Sequence, residues 1–171
     1  MERIFRKGSI GAILDELELA IKDLKKTIKN VSDEDLKKIV DPDTKDANCR
    51  SIQAVLSHVV ICGYYGVIRI MRNKYLSKNS AENPEEKFPF PELVKLNKIS
   101  EYNRALDEMF TFTEKSLINL KEREMRTLNP DKMIKTGWGW YDYEQLLEGG
   151  IVHISRHRRQ IQKFLIKLGK K

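Results

Sequence analysis

Apolar positions near the start of the chain recur at steps of three and four. Ile10, Ile13, Leu14, Leu17, Ile21, Leu24 and Ile28 fall on one face and predict a helix over 9–30. Ser32-Asp-Glu-Asp35 is a capping-box pattern with an acidic first turn, and it predicts a short helix over 33–39. Pro42 and its short polar neighbours mark 41–48 as a loop. A second long helix is expected over 51–75. It is so apolar between Ile52 and Ile61 that more than one of its sides should be buried. Gly63 and Gly66 weaken that helix, and offer close approach of a neighbour or room beside a site. A crossover over 77–91 ends in Phe88-Pro89-Phe90-Pro91.

Ile99, Tyr102, Leu106, Met109, Phe110, Thr113, Leu117 and Leu120 form the inner stripe of a third helix over 92–120. The connection 124–141 contains Asn129-Pro130 and Gly137-Trp138-Gly139-Trp140. Asp142 followed by Gln145 caps a last helix that turns Leu146, Leu147, Gly150, His153, His157, Ile161, Phe164, Leu165 and Leu168 inward. Four long amphipathic helices bury their stripes by packing around a common core, so the fold class expected is all-α, a four-helix bundle. The long crossover between the second and third helices is enough to join parallel neighbours. No internal repeat is present, and 1–171 is expected to form a single domain.

Composition agrees with this picture. The 171 residues suffice for one core, and 40% hydrophobic with 33% charged residues is a globular balance. No span of uninterrupted apolar residues approaches membrane-crossing length. The stretch after Met1–Lys7 is broken by Asp15, Glu16 and Glu18, unlike a secretory signal. Cytoplasmic residence is expected. Cys49 and Cys62 are expected to be reduced thiols, Cys62 as core packing or facing a metal or substrate. The net charge of +7 is matched by the final segment alone, where Arg156, Arg158, Arg159, Lys163, Lys167, Lys170 and Lys171 stand without an acid. A solvated helix end that complements the dipole is the ordinary reading; an anionic substrate or a nucleic acid is the alternative. Nucleic acid is disfavoured, because no zinc-finger cysteines or aromatic RNA-binding motif accompany the charge.

The three histidines carry the sharpest chemistry. His153 and His157 are four apart, so they stack on one helix face, and His58 lies on the inner face of the second helix beside Val55, Val59 and Cys62. Neutral imidazoles are good ligands for first-row divalent ions, and three from two rigid helices leave a coordination position open. Each histidine taken singly is as well explained by core packing. Zinc, nickel, iron and manganese all suit this donor set, zinc or nickel best. The His-Glu-x-x-His pattern of zinc proteases and the Glu-x-x-His pattern of di-iron bundles are absent.

Ser51-Ile-Gln-Ala-Val-Leu-Ser-His58 and His153-Ile-Ser-Arg-His157-Arg-Arg-Gln160-Ile161 resemble the two signature regions of the DinB/YfiT-like superfamily. The resemblance follows the helix order over nearly the whole chain. It implies an up-down-down-up bundle, often dimeric, with a metal triad at His58, His153 and His157. Arg159 stands where the family's last motif usually has glycine, which changes the size and charge beside the ligands. The resemblance implies a metal-dependent enzyme, with a thiol-dependent S-transferase or isomerase using a low-molecular-weight thiol as the leading expectation. The alternatives are a metal-dependent hydrolase and a non-catalytic metal-binding stress-response protein. Arg158, Cys62 and Tyr65 are candidate substrate-binding residues, with Arg156 and Tyr64 as weaker ones. Trp138, Trp140 and Tyr141 either cover the metal mouth or anchor their loop. The expected partner is a small, anionic substrate, with no membrane involved.

Overall fold

The first amphipathic stretch folds as α1, Gly8–Ile28, in a computed structural model that describes residues 5–76, 91–92 and 95–170. Its buried face is the predicted one, with Leu24 and Ile28 fully enclosed. Lys7 offers α1 no cap. Glu122, distant in sequence, accepts hydrogen bonds from the backbone N–H groups of Ser9 and Ile10 instead. Asp15 is buried on α1 and held by Arg6, which also reaches Glu18 and Glu114.

The short helix α2 spans Asp33–Lys37 and begins on the predicted cap, Ser32 Oγ accepting from the Asp35 N–H at 3.1 Å. The Asp35 carboxylate also receives Lys170, Lys38 and Ser32, and these partners hold its pKa far below the usual carboxylate value. A carboxylate with a depressed folded pKa contributes stability that is complete above its unfolded pKa of about 3.9 and disappears as pH falls through the folded value. Urea midpoints measured between pH 6 and pH 2 should therefore fall with acid, and Asp35→Asn should flatten that fall. An unchanged slope in the variant would remove Asp35 from acid unfolding.

After a 3₁₀ turn, Ala47–Cys49, comes α3, Ile52–Leu76, the most enclosed helix: Ile52, Val55, Leu56, Val59 and Ile70 are fully buried. By length and composition alone, Ile52–Tyr75 is apolar enough to cross a membrane, with a mean hydropathy of 1.6. Here it packs against the other helices of the bundle. The crossover with Phe88, Pro89 and Phe90 lies outside the described residues.

The third long helix, α4, spans Ile99–Leu117, starting with the apolar stripe and later than the expected range of 92–120. The Glu101 carboxylate folds back onto the N–H groups of Asn97 and Lys98, fixing the start there, and Asp33 accepts from the Ile99 N–H. The connection that follows holds a one-turn helix, α5 (Glu122–Met125), and a second 3₁₀ turn, Pro130–Lys132.

That connection also corrects the all-α expectation. Strands β1 (Ile134–Thr136) and β2 (Gly139–Tyr141) pair antiparallel, Ile134 opposite Tyr141 and Thr136 opposite Gly139, with Gly137-Trp138 at the turn. The fold is predominantly helical with one small hairpin. The last helix, α6, spans Tyr143–Lys167 and has the predicted reciprocal cap, Asp142 and Gln145 exchanging hydrogen bonds of 2.8 and 3.1 Å.

Pairs of contacts fix how the four long helices meet. Along α3 and α4, Gln53 bonds the Leu96 carbonyl, Ser57 meets Tyr102, and Lys74 reaches the Asn119 carbonyl. Along α3 and α6 the order runs oppositely, with His58 at His153 and Asn73 at Tyr143. Arg6 meets Glu114 and Lys25 meets Asp107 between α1 and α4, while Asp23 pairs with Arg158 of α6. One core cluster, around Leu24, Leu56, Tyr102 and Ile161, fills the end of the bundle nearer α2; a second, around Ile70, Leu117, Met125 and Leu147, fills the hairpin end.

Candidate metal centre

Helix phase brings the three histidines together. His153 and His157 stack one turn apart on α6, and the antiparallel α3 delivers His58 at their level. His153 Nε2 lies 3.1 Å from His58 Nε2 and 3.0 Å from His157 Nε2. Metal–nitrogen bonds of about 2.0–2.1 Å at tetrahedral to right angles place neighbouring ligand nitrogens roughly 2.9–3.4 Å apart. Both distances fall within the range expected of donors that share one ion.

Cys62, one turn beyond His58 on α3, adds its thiol 3.7 Å from His58 Nε2. The ligand atoms of His58, Cys62 and His153 all lie within 4.8 Å of one another, forming a potential metal-coordinating cluster. Cys62 was read from the sequence as core packing or as a thiol facing a metal or substrate. The structure brings its sulfur into the donor group itself.

The residue that sequence reasoning left out is Gln160. Its side-chain oxygen lies 2.8 Å from His157 Nδ1 and receives the Cys49 thiol, while its amide nitrogen faces the Cys49 carbonyl. With the amide placed that way, His157 Nδ1 carries the proton and Nε2 turns its lone pair to the cluster. A hydrogen-bond network among three neutral rings cannot then satisfy both short contacts of His153 Nε2, which has one in-plane position for a proton or a lone pair. Three lone pairs on one cation can. The spacing of three between His157 and Gln160, next to each other on a helix, was the available signal.

Burial sets the electrostatics. It pushes His153 down to about 4, with the neighbouring histidines and Arg156 adding to the shift. His58 and His157 are lowered mainly by burial, against Asp46 for the first and the Gln160 hydrogen bond for the second. Imidazoles so placed are neutral near pH 7, as ligands must be. Burial raises the Cys62 and Cys49 thiols, so neither is a ready thiolate in the metal-free protein.

A cavity of about 280 Å³ adjoins the cluster, with His153 and Cys62 in its wall together with Tyr65, Trp138 and Tyr141. Trp140 is not in that wall; it faces Lys135, whose ammonium lies over its ring. Arg158 is not brought into the site. One residue past His157 it is turned about 100° around the helix. Its guanidinium pairs with Asp23 at 2.6 Å in a groove between α1 and α6. Arg156 and Arg159 are exposed.

Three helical glycines, Gly66, Gly149 and Gly150, line the cavity with nothing within 4 Å of where a side chain would begin. Each costs its helix about 1 kcal/mol relative to alanine. Gly66→Ala should accordingly raise stability by about 1 kcal/mol in urea denaturation. Gly63→Ala should not, because its methyl group would run into the fully buried Met109. Equal gains at both positions would show that space at Gly66 has no special status. No protein-family model matches the chain and no curated protein matches it, so the reading of this site rests on its own residues.

Proposed function

We propose that the chain is a metal-dependent enzyme holding one divalent ion on His58, His153 and His157, with its substrate entering through the adjoining cavity. The observation that carries this is that the Nε2 atoms of His58 and His157 lie 3.1 and 3.0 Å from that of His153, which stands in the wall of a cavity. The helix contacts support an up-down-down-up path: α3 beside α4 in the same direction, α6 antiparallel to α3, and α4 antiparallel to α1. That path, the two motifs and the ligand set are those of the DinB/YfiT-like resemblance. From it we take the S-transferase or isomerase type as the leading reaction class, a low-molecular-weight thiol as co-substrate and a homodimer; cytoplasmic residence is proposed from the sequence reading of the chain's start and spans.

A divalent ion bound here would supply Lewis acidity, favouring a thiolate in a transferase or lowering the pKa of water in a hydrolase. The chain's own contributions are orientation and exclusion of water. Gln160 aims His157, the apolar faces of α3 and α6 keep the imidazoles unprotonated, and Tyr65 and Tyr141 stand in the cavity wall.

A non-catalytic, metal-stabilised protein is the second reading, and Cys62 favours it, because a fourth protein ligand would close the coordination sphere. Cobalt substitution separates the two. A thiolate-to-cobalt absorption that vanishes in Cys62→Ser marks a closed site, and its absence marks an open one. The test of the whole proposal is metal content after purification without a histidine tag or chelator. Wild type should carry close to one ion per chain and His157→Ala almost none. A wild type that carries none and takes up no added Zn²⁺, Ni²⁺, Fe²⁺ or Mn²⁺ overturns the reading.

A further inference from the structure

Four residues of α3 mark one face at helical spacing: His58, Cys62, Gly66 and Arg69. The last three all line the cavity. Arg69 comes seven residues after Cys62, about 10 Å further along the axis. The cavity therefore has the donor cluster near one end and a guanidinium near the other. The wall is mostly apolar, with Val67, Leu17, Met109, Leu147 and Ile154 beside the neutral polar Thr113, Thr136 and Gln145, and no aspartate or glutamate among the described residues lines the space.

Arg69 differs from Arg6 and Arg158. Arg6 and Arg158 are each held by carboxylates, whereas Arg69, also part-buried, forms no salt bridge among the described residues. A cation facing an apolar space without a counter-charge is costly, and a planar guanidinium matches a carboxylate with two parallel hydrogen bonds. A volume of about 280 Å³ sits at the small end of the range for small-molecule sites.

We propose that this cavity binds a small organic anion with an apolar body, its acidic group on Arg69 and its opposite end at His153 and Cys62. This gives the substrate class of the site read above, and it rests on the cavity being the substrate site. It does not require the ion to be present.

Octanoate, 1-octanol and octylammonium serve as probes of one chain length and three charges. Their affinities would be measured by calorimetry on zinc-loaded and on chelator-treated protein. In both forms octanoate should bind at least tenfold more tightly than 1-octanol, and octylammonium should bind weakest. Arg69→Gln should erase the preference for octanoate while leaving 1-octanol unchanged, Arg69→Lys should keep part of it, and Gly66→Leu should weaken all three. Equal binding of octanoate and 1-octanol by wild type overturns the proposal without any variant. So does a preference that survives Arg69→Gln, or one seen only with zinc, which would put the carboxylate on the ion. Octanoate selection through Arg69 in a protein that takes up no metal would leave this inference standing while the metal reading fails.

Discussion

Alanine at position 153 is expected to cost more metal affinity than any other single change. His153 Nε2 is the atom that both other histidines approach, so its removal leaves two nitrogens without a shared neighbour. Competition with a chromophoric chelator should show a loss of at least a thousandfold. Gln160→Leu keeps all three ligands but frees the His157 ring, and should cost about 10–100-fold, the usual effect of removing a partner that orients a ligand. Arg158→Ala should cost almost nothing, because that side chain faces Asp23 on α1.

The same variants should separate in thermal melts. A ligand present at about a thousand times its Kd stabilises the folded state by about 4 kcal/mol, so added zinc should raise the wild-type melting temperature and leave that of His153→Ala unchanged. If His153→Ala binds zinc as tightly as wild type, the ion does not sit on this nitrogen.

Tyr102→Ala should be the most damaging change away from the histidines. The ring is fully buried in α4, and its hydroxyl ties three strands of contact together: Ser57 Oγ at 2.6 Å, the Leu96 N–H, and the Gln53 carbonyl, to which it donates. Truncating a buried aromatic residue costs about 3–5 kcal/mol, a large part of the 5–15 kcal/mol that typical domains possess. Tyr102→Phe isolates the hydroxyl and should cost about 1–2 kcal/mol in urea denaturation. Ser57 immediately precedes His58, so the phenylalanine variant should also bind zinc more weakly. Unaltered zinc affinity in a destabilised Tyr102→Phe protein would mean that α3 holds His58 in place without help from α4.

The features legible in the sequence were those written in local spacing. His153 and His157 share a face because four residues make about one turn, and the Asp142–Gln145 cap was visible for the same reason. Features set by direction around a helix or by distant partners were not. Arg158 adjoins His157 in the motif, yet one step of helix rotation gives it to α1. Cys62 could be read as core packing or as facing a metal or substrate, and only the placement of α6 set His153 beside it. The β-hairpin was hidden because three-residue strands are too short to show alternation, although Gly137 and Gly139 marked a turn. The start of α4 followed from Glu101 folding back onto the backbone, where a helix beginning at 92 had been expected.

The separation of His58 from His153 in the chain gives the ion a second role. The two residues are 95 positions apart, so a metal joining them would tie a loop that holds more than half of the molecule. A covalent cross-link of that span removes about 4–5 kcal/mol of unfolded-chain entropy in the simplest treatment. An ion that stayed bound to both histidines during unfolding would act in the same way, as a reversible staple placed by mass action. Removal of metal would then do more than silence a site: it would free the unfolded chain from its tether, and the chelated protein should be digested faster by proteases.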